Sequence, residues 1–214
     1  MKIKVCGLKE PGNINAVAVL EPSFMGFICY TASPRFIGNL EPENLNTISA
    51  NIYKTGVFVN ESLNNIETLI SKYNFAAVQL HGSESAEECD LLRRKAIVIK
   101  AFGVDGEFDF DSKLAPYVGK VDYFLFDTKT NIHGGSGKTF NWELLNNYNF
   151  EVPFFLSGGL RLENLEEIKM INHPQFYGVD LNSKFEDSPG LKNIEKLTTA
   201  FDIIKNNTCN ELRS

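Results

Sequence analysis

The sequence predicts an α/β fold, a single (β/α)8 TIM barrel spanning residues 1–214, on three observations. Short apolar runs recur at nearly even intervals, stretches with helical spacing lie between them, and polar or reactive residues collect where the runs end. The runs fall at 3–6, 25–29, 54–59, 76–80, 97–102, 122–126, 153–156 and 176–181. Most are near-continuous Val, Ile, Phe and Leu, the pattern of strands buried on both faces. The helical stretches include 62–70, apolar at 63, 66, 69 and 70, and 163–171, apolar at 165, 168, 170 and 171. Ile194, Leu197, Ala200, Phe201 and Ile204 repeat the spacing near the end of the chain. Eight strands alternating with about eight helices make a unit of about 27 residues, which suits a compact barrel. No linker rich in Ser, Pro or Gly interrupts the series, so one domain is expected, its last few residues a flexible tail. An open doubly wound sheet is the alternative, but no G-x-G-x-x-G turn follows the first run.

Composition narrows the function. Hydrophobic residues make up 43% and charged residues 22%, ordinary globular usage, and the 17 Phe supply stiff filling for a sizeable core. A net charge of −6 argues against a nucleic-acid binder, yet leaves room for a phosphorylated small molecule held by backbone amides and a few local cations. Cys6, Cys29, Cys89 and Cys209 form no C-x-x-C pair and have no His at zinc spacing, so neither a structural metal nor a disulfide framework is expected. No run approaches a membrane span or a signal peptide, and a reducing, cytoplasmic compartment is expected.

In such a barrel the chemistry sits where strands end. Those ends read Cys6-Gly7, Cys29-Tyr30 followed by Ser33-Pro34-Arg35, Val59-Asn60, Gln79-Leu80-His81-Gly82, Ala101-Phe102, Asp127, Ser157-Gly158-Gly159 and Asp180-Leu181-Asn182-Ser183. A thiol at the mouth works as a base once a nearby cation lowers its pKa, and Cys6 and Cys29 compete for that role. Cys89, in a predicted helix, and Cys209, in the tail, are expected to be inert. Asp127 follows an apolar strand, where desolvation raises a carboxyl toward general-acid use. Its other reading, a helix cap, weakens because the next helix is expected only near Trp142. Arg35 offers a planar fork for a substrate carboxylate. His81 ends the fourth run and joins the substrate-binding candidates, whereas His173 is expected at the surface. Gly158, Gly159, Asp180, Asn182 and Ser183 occupy the two loops that commonly bind phosphate in this fold. Gly134-Gly135-Ser136-Gly137-Lys138-Thr139 is not a nucleotide P-loop, since Ile132 stands where the first glycine is required. It reads instead as a lid over the mouth.

These residues resemble a family, phosphoribosylanthranilate isomerase, and the resemblance runs in order through nearly the whole chain. It is carried by Lys4-Val5-Cys6-Gly7, Gly26-Phe27-Ile28 with Ser33-Pro34-Arg35, Gly56-Val57-Phe58-Val59-Asn60 and Val78-Gln79-Leu80-His81-Gly82. It continues through Phe126-Asp127, Gly134 to Phe140 with Trp142, Phe155 to Leu160 with Glu163-Asn164, and Val179-Asp180. The resemblance implies an Amadori rearrangement of an N-ribosyl anthranilate 5-phosphate, with neither metal nor organic cofactor. It assigns Cys6 as base and Asp127 as acid, Arg35 to the anthranilate carboxylate, and the loops after strands seven and eight to the phosphate. The sequence departs from the family at Asn182-Ser183-Lys184-Phe185-Glu186, where Ser-Ser-Gly-Val-Glu is usual, and at Leu8-Lys9. Competing readings are another phosphosugar barrel or a non-catalytic metabolite-binding barrel. The neighbouring indole-glycerol-phosphate synthase would want a strand-end lysine, and Lys100 is the only candidate.

Overall fold

The computed structural model describes residues 1–128 and 140–205. Eight parallel strands pair in chain order and the last closes on the first. They are β1 (Lys2–Cys6), β2 (Phe24–Ile28), β3 (Tyr53–Phe58), β4 (Ala77–Leu80), β5 (Ile97–Val104), β6 (Tyr123–Thr128), β7 (Phe154–Leu156) and β8 (Phe176–Leu181). Every expected run forms a strand, and β5 and β6 extend two residues further than their apolar runs. Closure sets Lys2 opposite Gly178, Lys4 opposite Asp180 and Val5 opposite Leu181.

Alternation along each strand decides what faces the lumen. Ile3 and Val5, Met25 and Phe27, Val98, and Phe124 and Phe126 turn outward into the layer beneath the helices. Phe24, Ala77, Ile99, Ala101, Leu125 and Phe155 turn inward and pack together as a floor. The Phe24 and Phe155 rings meet edge to face at 5.3 Å, and Tyr123 lies 5.5 Å from Phe155. Each of these buried phenylalanines contributes about 1.5–3 kcal/mol. The same parity carries Lys4 and Cys6, Asp127, Ser157 and Asp180 into the lumen above that floor, at the C-terminal end of the barrel.

Helix α1 (Pro11–Ala18) starts on a proline, where a missing N–H costs nothing. Helix α2 (Leu63–Tyr73) is capped by Ser62, which accepts from the Asn65 amide at 3.3 Å. It ends at Asn74 in the left-handed conformation and buries Ile66 and Tyr73. Helix α3 (Ala86–Arg93) begins with a reciprocal Ser85–Glu88 capping box and buries Cys89, which is therefore core. The short α4 (Phe110–Leu114) and the last helix, α5 (Ile194–Lys205), complete the set. Helix α5 buries Leu197, Ala200, Phe201 and Ile204, as its spacing predicted.

The helices expected between the strands are present, but not all of them are α-helical. Among the described residues, the crossovers after β2, β6 and β7 carry 3-10 segments, Pro42–Leu45, Trp142–Asn147 and Leu162–Met170. In the last of these the apolar positions Leu162, Leu165, Ile168 and Ile171 repeat every third residue, the 3-10 period. Leu165 and Ile168 are buried and Met170 is 83% exposed, whereas α-helical spacing had placed it inward. A rise of about 2.0 Å per residue rather than 1.5 Å also lets a short crossover span the strand it must return along.

After β8 comes an unpredicted antiparallel hairpin, β9 (Glu186–Ser188) and β10 (Leu191–Lys192). Asn13 of α1 pins it, donating to the Lys192 carbonyl at 2.8 Å and accepting from the Lys192 amide at 2.7 Å. The expected lid at 134–139, His133, Cys209 and the expected tail lie outside the described residues.

Candidate active site

Cys6 ends β1 with its side chain in the lumen and only 3% of its surface exposed. A Cβ on Gly26 of the neighbouring strand would lie 2.7 Å from its sulfur, so the glycine makes room for the thiol. Burial pushes the Cys6 thiol above its ordinary value, the Lys4 ammonium pulls it back, Asp180 adds to the push, and Lys192 joins the pull. Cys29, the competitor, has the opposite parity. Its thiol turns into the outer core, donates to the Phe27 carbonyl at 3.6 Å, and is pushed by burial up to about 12. It is not a base.

Asp127, the penultimate residue of β6, faces the same lumen. Burial pushes its carboxyl up to about 6, Asp180 adds to the push, and the Thr128 amide (2.8 Å) and Lys4 oppose it. His81 sits beside it, Nε2 lying 3.6 Å from Asp127 Oδ2. The imidazole is oriented by Gln79, whose amide nitrogen is 3.0 Å from Nδ1. Gly158 closes against Asp127 from the loop after β7, with φ of +83°, and Gly159 follows at +68°. The Gly159 carbonyl accepts from Asn164 at 3.1 Å, and Asn164 in turn accepts from the Arg161 amide at 2.9 Å. The Ser157–Gly159 loop is thus fixed by the Glu163-Asn164 motif that follows it.

Asp180 lies within β8, not in the loop beyond it. Its inward parity sets it 2.9 Å from the Lys4 ammonium, and both side chains are almost fully buried. Asn182 is committed as well, its carbonyl oxygen accepting from Lys192 at 2.8 Å. Ser183 opens a short 3-10 turn, Ser183–Phe185, in which Lys184 is exposed with an ordinary negative φ. The backbone strain that a lysine replacing a glycine would imply is absent.

Arg35 reaches the same rim held by Glu186. Its Nε donates to the two carboxylate oxygens at 2.8 and 3.1 Å, and Nη2 donates to one of them. Nε and one Nη2 hydrogen are so used, leaving three of the five guanidinium N–H groups for a ligand. Lys192, fully buried, binds Glu186 from the other side at 2.9 Å. Burial opposes charge on Glu186, but Arg35 and Lys192 overcome it and hold the carboxyl below its usual range. Gly7 completes the rim, because a Cβ there would lie 2.7 Å from Arg35 Cδ and 2.8 Å from Asn182 Oδ1.

The sequence reading therefore located Cys6, Asp127, Arg35, His81, Gly158, Gly159, Asn182 and Ser183 at the mouth, and missed Lys192 and the roles of Lys4 and Glu186. Lys4 had a visible signal, a charge at an inward position two residues before Cys6. Lys100, the lysine a synthase would need at the mouth, points outward instead. It is locked by the Leu80 and Gly82 carbonyls (3.2 and 2.7 Å) and by Glu84 (3.0 Å). Glu84 also accepts from the Asn60 amide at 2.8 Å, so this ion pair ties the third and fourth βα loops together.

Comparison with known proteins agrees with this geometry. The family model described as N-(5'phosphoribosyl)anthranilate (PRA) isomerase matches residues 3–202. The N-(5'-phosphoribosyl)anthranilate isomerase of Parabacteroides distasonis is 48% identical over 200 residues, covering 92% of this chain and 90% of that protein. The crystal structure of the Thermotoga maritima phosphoribosyl anthranilate isomerase superposes with a TM-score of 0.82 at 32% identity, covering 96% of this chain and 99% of that one. Another phosphoribosyl anthranilate isomerase, solved with reduced 1-(o-carboxyphenylamino)-1-deoxyribulose 5-phosphate, gives 0.78 at 28% identity, covering 96% and 99%. With a barrel closed in the same order and a thiol and a carboxyl facing one lumen, the chain belongs to the N-(5'-phosphoribosyl)anthranilate isomerase family.

Proposed function

We propose that this chain isomerises N-(5'-phosphoribosyl)anthranilate to 1-(2-carboxyphenylamino)-1-deoxyribulose 5-phosphate in tryptophan biosynthesis, with Cys6 as base and Asp127 as acid. The observation that carries the pairing of these two groups is their shared inward parity, on strands β1 and β6 of one lumen, and the family resemblance distributes the roles of base and acid between them. Asp127 donates its proton to the furanose ring oxygen, the C1′–O4′ bond breaks, and the anthranilate nitrogen lone pair forms the C1′=N bond. The Cys6 thiolate then takes the C2′ proton, that electron pair becomes the C1′=C2′ bond, and the C1′=N π pair returns to nitrogen to give an enolamine. Protonation at C1′ and loss of the O2′ proton give the ketone. A carboxyl raised to about 6 suits the acid because it keeps a proton nearer to neutral pH than a free aspartate does.

Arg35 offers its remaining N–H groups to the anthranilate carboxylate, and the Ser157–Gly159 and Asn182–Ser183 loops offer backbone amides to the phosphate. His81 lies beside the acid and contacts the sugar. Free thiols at Cys6, Cys29 and Cys89 support a reducing, cytoplasmic compartment, and the net charge of −6 disfavours nucleic acid. Among the described residues, no helix is long and apolar enough to cross a membrane. We read residues 1–214 as one barrel domain.

Anthranilate fluorescence tests the reading. The signal of N-(5'-phosphoribosyl)anthranilate falls on mixing with enzyme if turnover occurs. Binding with the substrate recovered unchanged would favour a non-catalytic phosphosugar-binding barrel.

A further inference from the structure

The mechanism above leaves the most deeply buried charges of the lumen without a task. Lys4 and Asp180 face each other across the seam between β1 and β8 at 2.9 Å, the lysine side chain unexposed and the aspartate nearly so. Lys4 shares the inward face of β1 with Cys6, two residues further along, and the two groups interact electrostatically. Burial alone would lower Lys4, but Asp180 and Cys6 together hold it above its ordinary value, so it is an ammonium. Burial holds Asp180 above its ordinary value, although Lys4 and, more weakly, Lys192 pull it down. A 2.9 Å contact with an ammonium is the geometry of the carboxylate.

Turnover needs a thiolate at Cys6 and a protonated carboxyl at Asp127. That is the reverse of their order in water, where a carboxyl ionises about 4–5 pKa units before a thiol. The groups facing Cys6 are Lys4, Asp180 and Lys192. Those facing Asp127 are Asp180, Lys4 and His81. On Cys6 the ammonium end of the pair dominates, and on Asp127 the carboxylate end dominates.

We propose that the buried Lys4–Asp180 pair is a positioning device for the protons of this site. Its ammonium favours the thiolate at Cys6 and its carboxylate favours the protonated Asp127, so one ion pair enriches the single protonation state able to turn over. This rests on the reading of Cys6 as base and Asp127 as acid. Neither Lys4 nor Asp180 needs to touch the reacting atoms.

The test compares wild type with Lys4→Met/Asp180→Asn, which removes both charges together and leaves no buried ion unpaired. Cys6 is titrated by ultraviolet thiolate absorbance against a Cys6→Ser control in each background. Asp127 is titrated by the carboxyl resonance of isotope-labelled aspartate. In the double variant Cys6 ionises at higher pH and Asp127 at lower pH. The kcat falls roughly tenfold for each unit by which the gap widens, with KM little changed. In Asp180→Asn alone the uncompensated ammonium moves Cys6 the other way, to lower pH, and Asp127 again falls. A pair that only staples the barrel shut lowers the melting temperature and moves neither titration, and that result overturns the proposal. If the double variant does not fold, Asp180→Asn decides, and an unchanged or raised Cys6 ionisation overturns it. The titrations use free enzyme, so a wild type that failed to isomerise the substrate would sink the functional reading without touching them.

Discussion

A carbon atom added to Gly158 would lie 2.5 Å from Oδ1 of Asp127 and 2.4 Å from the Thr128 amide nitrogen. The second neighbour is backbone and has nowhere to go. With φ at +83° as well, Gly158→Ala should cost about 1–3 kcal/mol of stability and displace the carboxyl from the lumen. Denaturant unfolding and turnover measured together check this. Full activity in a folded variant would mean that the Asp127 position tolerates a shift.

The two mouth-side thiols should behave oppositely. Cys6→Ser should lose nearly all turnover and keep substrate affinity, because an alkoxide base is far harder to form than a thiolate. Cys29→Ser, whose parent thiol lies in the outer core, should keep turnover and lose only some stability. Fluorescence progress curves for both variants decide, and an active Cys6→Ser would remove the base from the mechanism.

Asp127→Asn should abolish turnover yet stabilise the fold at neutral pH. The carboxyl is raised in the folded state to about 6 from an ordinary 3.8, so between those values the native protein binds the extra proton. Stability therefore falls as pH rises through that window, and the loss is complete above the folded value. Because the side chain is 31% exposed, solvent screening discounts the effect to about 1 kcal/mol. The asparagine variant should match wild type below about pH 4 and exceed it at pH 7, as melting curves across that range will show.

Arg35→Ala should weaken carboxylate-bearing product analogues by about 1.5–3 kcal/mol while leaving an analogue without the carboxylate nearly unaffected. It also leaves Glu186 with Lys192 and the Gly190 amide but without its guanidinium, so a modest loss of stability should accompany it. Calorimetric titration with both analogues separates ligand contact from loop support, and equal losses would assign Arg35 to the loop.

What the sequence reveals follows the range over which each feature is determined. Cys6 and Asp127 are legible because each ends an apolar run whose parity alone turns it inward. Lys4 is visible as a charge in such a run, but its meaning depends on Asp180, 176 positions away, and on the register in which β1 meets β8. Lys192 lies beyond the last strand in a hairpin held by Asn13, a contact no local pattern announces. The three-residue repeat from Leu162 to Ile171 was legible in principle, yet its apolar content also fits an α-helix once Met170 is counted as inward. Arg35 is recognisable as a fork, whereas its tether to Glu186 is a tertiary fact.

The seam between first and last strands has a consequence for how activity is acquired. Asp180, Asn182, Glu186 and Lys192 all arrive with β8 and the hairpin behind it, while the thiol they surround is on β1. A folding chain with seven strands paired already holds Cys6, Arg35 and Asp127, but lacks the carboxylate opposite Lys4 and the tether that aims Arg35. Competence therefore depends on one long-range pairing, that of β8 with β1, and is not complete in any array of the first seven strands. Splitting the chain between β7 and β8 should give one fragment that is inert by itself, with turnover returning only when the other is supplied and the ring shuts.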